Sequence, residues 1–251
     1  MRSRFVMVDG LDGSGKGIIV NALARWAESK GLKVLDLKEY CQEHKTLPEP
    51  EEINEFDAIR SDEPTYSFVG LGIRDEMIKE NNRKYSALSI SHAFSLDREI
   101  LYKRVIIPAM KAGKYLFQER GVISSLVYQP VQERLQISEL MKLPGNRLAL
   151  ENAPGLLIIT KAAPETVIRR LQARSKKDDS IFENLNFQRK LEERYNSEWL
   201  KSLFERFGSK VVYLDTDEPK TIEDTKADGI RVWEEFIGKK EEVKEEVKEG
   251  V

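Results

Sequence analysis

Phe5-Val6-Met7-Val8-Asp9-Gly10-Leu11-Asp12-Gly13-Ser14-Gly15-Lys16-Gly17-Ile18-Ile19 is the stretch from which the rest of the chain is read. Four apolar residues in a row predict a short strand buried on both faces. The segment after them fits the spacing G-x-x-x-x-G-K, from Gly10 to Lys16. Ile18, Ile19, Leu23, Ala24 and Ala27 then recur at helical spacing up to Gly31, which reads as a C-terminal stop. A strand, a glycine loop and a helix in that order make a cradle for a polyphosphate. The glycines let backbone N–H groups turn inward, the helix N-terminus adds positive partial charge, and a lysine reaches the outer phosphates. Gly10, Gly13, Ser14, Gly15, Lys16 and Gly17 are therefore the expected phosphate-binding residues. Gly17 stands where the pattern has Ser or Thr, whose hydroxyl holds the Mg²⁺ that travels with a nucleotide. Ile18 cannot replace that hydroxyl, so a serine at 17 is expected to raise metal affinity or activity.

Outward from the loop, further strands are predicted at Val34-Leu35-Asp36-Leu37, Tyr115-Leu116-Phe117, Leu156-Leu157-Ile158-Ile159 and Val211-Val212-Tyr213-Leu214. Helical stretches fall at 70–80, 86–112 (disturbed near Pro108), 123–141, 164–174, 187–207 and 221–237. The alternation predicts an α/β fold of three layers, a five-stranded parallel sheet flanked by helices on both faces. Residues 41–57 are acidic and carry Pro48 and Pro50, so they read as a surface excursion. One domain is expected over 1–237, followed by a Lys/Glu tail over 238–251 that reads as a solvated or frayed helix.

The 251 residues balance 41 Lys and Arg against 43 Asp and Glu, so no electrostatic case for a nucleic-acid partner exists. The N-terminal apolar run is too short for a secretory leader or a membrane span, and the cytoplasm is the default expectation. Cys41 is the single cysteine, expected to act as a small buried hydrophobe. His44 and His92 are the only histidines, and no H-x-x-x-H or C-x-x-C spacing supports a hydrolytic metal site or a thiol enzyme.

Val8-Asp9-Gly10-Leu11-Asp12-Gly13-Ser14-Gly15-Lys16 resembles the opening of the thymidylate kinases, whose loop reads [DE]-G-[LV]-D-G-[SA]-G-K. Three more segments follow in that family's order. Asp62-Glu63-Pro64-Thr65, with Gly70 and Ile73-Arg74, resembles R-E-P-[GT] and G-x-x-I-R. Phe94-Ser95-Leu96-Asp97-Arg98 resembles F-x-x-D-R, with Phe94 and Arg98 on one helix face. Glu119-Arg120-Gly121-Val122-Ile123-Ser124-Ser125-Leu126-Val127-Tyr128-Gln129 resembles D-R-Y-x-x-S-x-x-A-Y-Q.

The resemblance implies ATP, with Mg²⁺, as phosphoryl donor and a deoxynucleoside monophosphate, dTMP above all, as acceptor. It implies Asp12, Phe94, Arg98, Arg120, Ser125, Tyr128 and Arg74 at the acceptor. It places Lys16, Arg120, Asp12, Arg170 and Arg174 in catalysis, and Glu119 with Asp12 near the metal. Phe94 would stack on the base, Arg98 would bond a base carbonyl, Ser125 would touch the base, and Tyr128 would crowd the sugar's 2′ position. Arg170 and Arg174 would sit on a lid, about 174–187, that closes over ATP, since Gly13 stands where some members carry a loop arginine. A homodimer, which the long helix 86–112 could support, is implied as well.

Three departures leave other readings open. Asp62 replaces the arginine expected at the acceptor phosphate, with Arg60 two residues upstream as the candidate to compensate. Gly121 replaces a tyrosine, which predicts lost packing, and Gly17 removes the loop hydroxyl. A kinase for another nucleotide or nucleoside, or a nucleotide-binding homologue with weakened catalysis, are the alternatives.

Overall fold

The computed structural model describes residues 4–79, 81–173 and 184–249, with side chains described as far as 238. Its sheet has six parallel strands: β1 (Phe5–Gly10), β2 (Val34–Asp36), β3 (Ala58–Asp62), β4 (Tyr115–Glu119), β5 (Leu156–Lys161) and β6 (Lys210–Asp215), in the order β2-β3-β4-β1-β5-β6. The five expected strands are present, and β3 is an addition to them. Its sequence, Ala-Ile-Arg-Ser-Asp, has only two apolar residues, so it lacks the run that marks a buried strand, yet all five residues are buried. The polar half of β3 points along the sheet to its carboxyl edge.

Side chains of β1 alternate between two cores, as a strand's two-residue period requires. Val6 and Val8 pack with Ile19 and Leu23 of α1 (Lys16–Ser29) and with Trp233 and Phe236 of α12 (Ile222–Glu249). Phe5 and Met7 pack on the other face, with Leu101 of α4 (Ala87–Leu101), Val127 of α6 (Val122–Gln132) and Leu191 of α10 (Leu185–Tyr195). Helices on both faces bear out the three layers. Because β1 lies between β4 and β5, the crevice at its carboxyl end is where such a sheet accepts ligands.

The 41–57 excursion lies on the surface, with 42–45, 49, 51, 52, 54, 55 and 57 exposed, and a few buried side chains pin it to the core. Asp36 caps α2 (Leu37–His44) by accepting from the amides of Lys38 at 2.8 Å and Glu39 at 3.3 Å, so Leu37 opens a helix instead of ending a strand. Cys41, Leu47 and Ile53 are buried among the core residues, and burial pushes the Cys41 thiol up to about 11, the behaviour of a structural cysteine. The long helix is α4, then a π turn over Tyr102–Ile106, then α5 (Ile107–Lys111). Pro108 cannot donate to the carbonyl of Arg104, and the ladder widens just there.

The stretch 123–141 becomes α6 and α7 (Ile137–Lys142), followed by α8 (Pro144–Glu151). The stretch 187–207 divides into α10 and α11 (Glu198–Arg206), with Ser197 capping the second. α12 runs unbroken across 238 to Glu249. No described helix is long and apolar enough to cross a membrane.

Candidate active site

The glycine loop leaves β1 at Gly10, where a Cβ would meet Thr160 Oγ1 of β5 at 2.3 Å. That close approach lets the Ser14 hydroxyl reach both Thr160 Oγ1 and the Leu11 carbonyl, each at 2.6 Å, which fixes the loop's curl. Gly15, at φ 92°, is the N-cap of α1, a left-handed conformation that suits glycine. The cap supplies no side-chain acceptor and the first turn has no acidic residue, so the positive end of the helix is kept for a ligand. Lys16 is buried, donates to the Leu11 carbonyl at 2.6 Å and lies 3.9 Å from Asp12 Oδ1.

Across the crevice, Arg120 follows β4 with φ 63°, a strained backbone for a residue with a Cβ. Its Nη2 donates to Asp12 Oδ1, its Nη1 to the Ser124 hydroxyl at 3.3 Å, and its guanidinium lies 5.6 Å from the centre of the Tyr128 ring. The Tyr128 hydroxyl donates to Asp12 Oδ2 at 3.0 Å, so both oxygens of Asp12 are engaged. Behind them Asp9, fully buried, accepts from the Ser124 hydroxyl at 2.8 Å and the Tyr195 hydroxyl at 2.7 Å. Asp9 had only its place in the loop motif to mark it. Its part is to tie α6 and α10 to the root of the loop.

The acceptor wall is built on the turn after β3. Asp97 accepts from Thr65 N at 2.8 Å and Thr65 Oγ1 at 2.6 Å, which fastens the Glu63-Pro64-Thr65 turn, with its cis Glu63–Pro64 bond, to α4. Arg98, 1% exposed, donates to Glu63 Oε2 at 2.7 Å, to the Ser125 hydroxyl at 3.1 Å and to Asn146 Oδ1. Complete burial pushes the Glu63 carboxyl up to about 7, against the opposing pull of Arg98. Phe94, one turn before Arg98, lines the same cleft. Arg74 donates to the Pro64 carbonyl at 2.9 Å and stacks 3.8 Å from the centre of the Tyr66 ring. Asn146 was not anticipated, because nothing in the local sequence of α8 marks it. Gly145 puts it there: a Cβ at 145 would lie 1.8 Å from the Ser95 carbonyl oxygen, so α8 packs directly on the backbone of α4.

Two departures from the family pattern are answered by neighbours. Arg60 and Asp62, two apart on β3 and so on one face, share two hydrogen bonds of 2.6 and 3.0 Å, and the Asp62 charge is neutralised within the wall. Met7 fills the space beside Gly121, where a Cβ would meet its Cε at 2.5 Å, so the packing expected to be lost is supplied from β1. Glu119 is the last residue of β4, level with Asp62 on β3. Burial raises its carboxyl above the usual range, with Asp62 adding to the shift and Lys16 opposing it. Asp62 is raised by burial, with Arg60 opposing. No cluster of three acidic, histidine or cysteine side chains able to hold a metal occurs among the described residues. A nucleotide-borne cation, which brings phosphate oxygens with it, needs no such cluster. Glu119 is the carboxylate at the mouth of the loop, facing Gly17.

Loop and acceptor wall line one cleft of about 1170 Å³, larger than the roughly 300–1,000 Å³ of a typical single-ligand pocket. Its described lining carries nine Lys and Arg side chains against five Asp and Glu, so the cleft suits polyanions although the chain as a whole is nearly neutral. Arg170 of α9 (Pro164–Gln172) borders it and donates to the Thr216 carbonyl at 2.9 Å. Arg174 and most of the expected lid, 174–183, lie outside the described residues. Of the remaining expected residues, Asp12, Gly13, Gly15, Lys16, Gly17, Arg74, Phe94, Arg98, Glu119, Arg120, Ser125 and Tyr128 all line the cleft. Gly10 and Ser14 shape the loop from behind.

A parallel sheet with a glycine loop opening onto a helix N-terminus at its switch point defines an α/β nucleotide-binding protein of the phosphate-loop class. The thymidylate kinase family model matches residues 50–228, and the chain belongs to that family. It is 31% identical over 199 residues to a probable thymidylate kinase of Pyrococcus abyssi, covering 78% of this chain and 82% of that one. It is 28% identical over 192 residues to a thymidylate kinase of Caldicellulosiruptor saccharolyticus, covering 76% and 80%. The crystal structure of thymidylate kinase from Ehrlichia chaffeensis shares the fold, with a TM-score of 0.60 at 17% identity over 92% of this chain and 97% of that one.

Proposed function

We propose that the chain transfers the γ-phosphoryl group of ATP to the phosphate of dTMP, giving ADP and dTDP. The observation that carries this reading is the single cleft shared by the phosphate loop and the acceptor wall, bridged by the Arg120–Asp12 pair. The α1 N-terminus and Lys16 hold the donor's outer phosphates. Arg120, Arg74 and Arg60 face the acceptor phosphate, and Arg120, with Arg170 and Arg174 from a closing lid, balances charge on the migrating group. The acceptor is already an anion, so no general base is required. Mg²⁺ bound with ATP would neutralise phosphate charge, with Glu119 as its protein contact; Asp12, engaged by Arg120 and Tyr128, is the weaker candidate. Phe94 stacks on the base. One N–H on Arg98 Nη1 has no acceptor among the described residues, which leaves it for a base carbonyl. Tyr128 narrows the space at the sugar.

An ADP-release assay with ATP, Mg²⁺ and a panel of nucleoside monophosphates and nucleosides tests the reading. Fastest turnover with dTMP is the expected result. Turnover of a nucleoside ahead of every monophosphate, or nucleotide binding with no turnover, would overturn it. Gly145→Ala should push α8 off α4, cost about 1–3 kcal/mol of stability and raise KM for the acceptor while leaving KM for ATP unchanged, because Asn146 no longer meets Arg98. Thermal melts and initial rates check both. Pairing of two chains through α3 (Phe68–Gly72) and α4 is supported by Phe68, Leu71, Leu88 and Leu96, each at least 40% exposed. Sedimentation at micromolar concentration would reveal a dimer.

A further inference from the structure

Gly17 and Glu119 are far apart in sequence and meet at the mouth of the loop. Gly17 is the second residue of α1, beside Lys16. Glu119 ends β4, paired with Val8 of β1 on one side and Asp62 of β3 on the other. A Cβ at Gly17 would stand 2.8 Å from Glu119 Oε2, 3.5 Å from its Cδ and 3.6 Å from Oε1. The Glu119 carboxylate therefore occupies the volume into which a side chain at 17 would project. Among the described residues, no side chain donates a hydrogen bond to it.

The phosphate-loop pattern has Ser or Thr at the first position, and the family motif has Asp at the second. Here one side chain is shortened to hydrogen and the facing one is longer by a methylene. We infer that Gly17 and Glu119 form one exchanged pair, in which the Glu119 carboxylate takes the place of the missing loop hydroxyl as the protein's ligand to the divalent cation bound with the nucleotide. This rests on the proposed binding of ATP in the loop.

The chemistry fits the exchange. Mg²⁺ is a hard cation that takes oxygen ligands and is held through one or two carboxylates plus phosphates. The exchange keeps the single carboxylate of the pattern but moves its negative charge into the hydroxyl's place, next to the phosphates. With the cation between them that charge attracts; without it, the carboxylate and the polyphosphate repel. Nucleotide binding by this protein thus depends on the divalent cation more steeply than a neutral hydroxyl would make it. A serine at 17 beside an unchanged Glu119 would push the end of that carboxylate out of its place and exchange a charged oxygen ligand for a neutral one, which raises nothing, contrary to what the loop pattern alone predicts.

The experiment measures the affinity of the full chain for the β,γ-imido analogue of ATP by titration calorimetry, in MgCl₂ and in EDTA, with Mn²⁺ paramagnetic resonance of the ternary complex. None of these readouts needs phosphoryl transfer. Glu119→Gln keeps the shape of the side chain. It should bind the analogue more tightly than the wild type in EDTA and lose about tenfold or more of the tightening that Mg²⁺ brings, equivalent to ~1.4 kcal/mol. Gly17→Ser should weaken cation-dependent binding, and Gly17→Ser/Glu119→Asp should restore it, with a changed Mn²⁺ spectrum. Melting curves exclude unfolding as the cause, and the isosteric Glu119→Gln carries the test if the serine variant does not fold. An unchanged Mg²⁺ dependence in Glu119→Gln, or a gain in cation affinity from Gly17→Ser alone, overturns the inference while leaving the nucleotide reading intact. Failure of the wild type to bind the analogue in either buffer overturns both.

Discussion

Lys16→Ala is expected to lower kcat by roughly 10³-fold or more, about 4 kcal/mol of transition-state stabilisation, with almost no change in folding stability. The kinetic half follows from the position of Lys16 at the start of α1, where its ammonium is the cation nearest the loop's own backbone. Phosphoryl transfer is catalysed by cations placed on the migrating group, and a neutral residue there has no substitute within the loop, because Gly13 carries no side chain. The stability half follows from the lysine's partner. The Leu11 carbonyl accepts from Lys16 Nζ, from Ser14 N at 3.1 Å and from Ser14 Oγ at 2.6 Å, so losing one donor leaves the oxygen paired. Steady-state rates beside a thermal melt separate the two. Activity within tenfold of wild type would remove the phosphate-loop argument.

Arg120→Gly should lose at least about 10³-fold in kcat and still melt within a few degrees of the wild type. The arginine holds φ 63°, a conformation that costs a residue with a Cβ about 1–3 kcal/mol and a glycine almost nothing. Relief of that strain offsets the lost ion pair to Asp12, whose other oxygen still accepts from Tyr128 at 3.0 Å. Stability kept while turnover collapses is the mark of a backbone strained for function. A large fall in melting temperature with modest loss of rate would assign Arg120 a structural part instead. Arg120→Lys makes the same point from the other side: it keeps the charge, loses the forked contact to Asp12 and Ser124, and should recover only part of the rate.

The site was legible wherever chemistry dictates a short motif. Gly10 to Lys16, Phe94 with Arg98, and Arg120 with Tyr128 each obey a local spacing that places them together whatever the rest of the chain does. Asn146 was not legible, because its contact with Arg98 arises from the packing of α8 on α4 and from the absence of a side chain at Gly145. The departures at Gly17, Asp62 and Gly121 looked like losses in the linear chain. Each has a spatial neighbour that explains it: Glu119, Arg60 and Met7.

By itself the sequence determined the strand–loop–helix cradle, the parallel α/β sheet and the class of ligand, because strands, helices and phosphate loops arise from residues close in the chain. Tertiary structure decided the sixth strand, the anchoring of 41–57 by Cys41, Leu47 and Ile53, and the pairing across the loop mouth. β3 is polar because its carboxyl end lines the cleft, and only its place inside the sheet, between β2 and β4, buries it. The same holds for Gly17: what a missing side chain means depends on what fills its space, and that is set by a residue on a neighbouring strand.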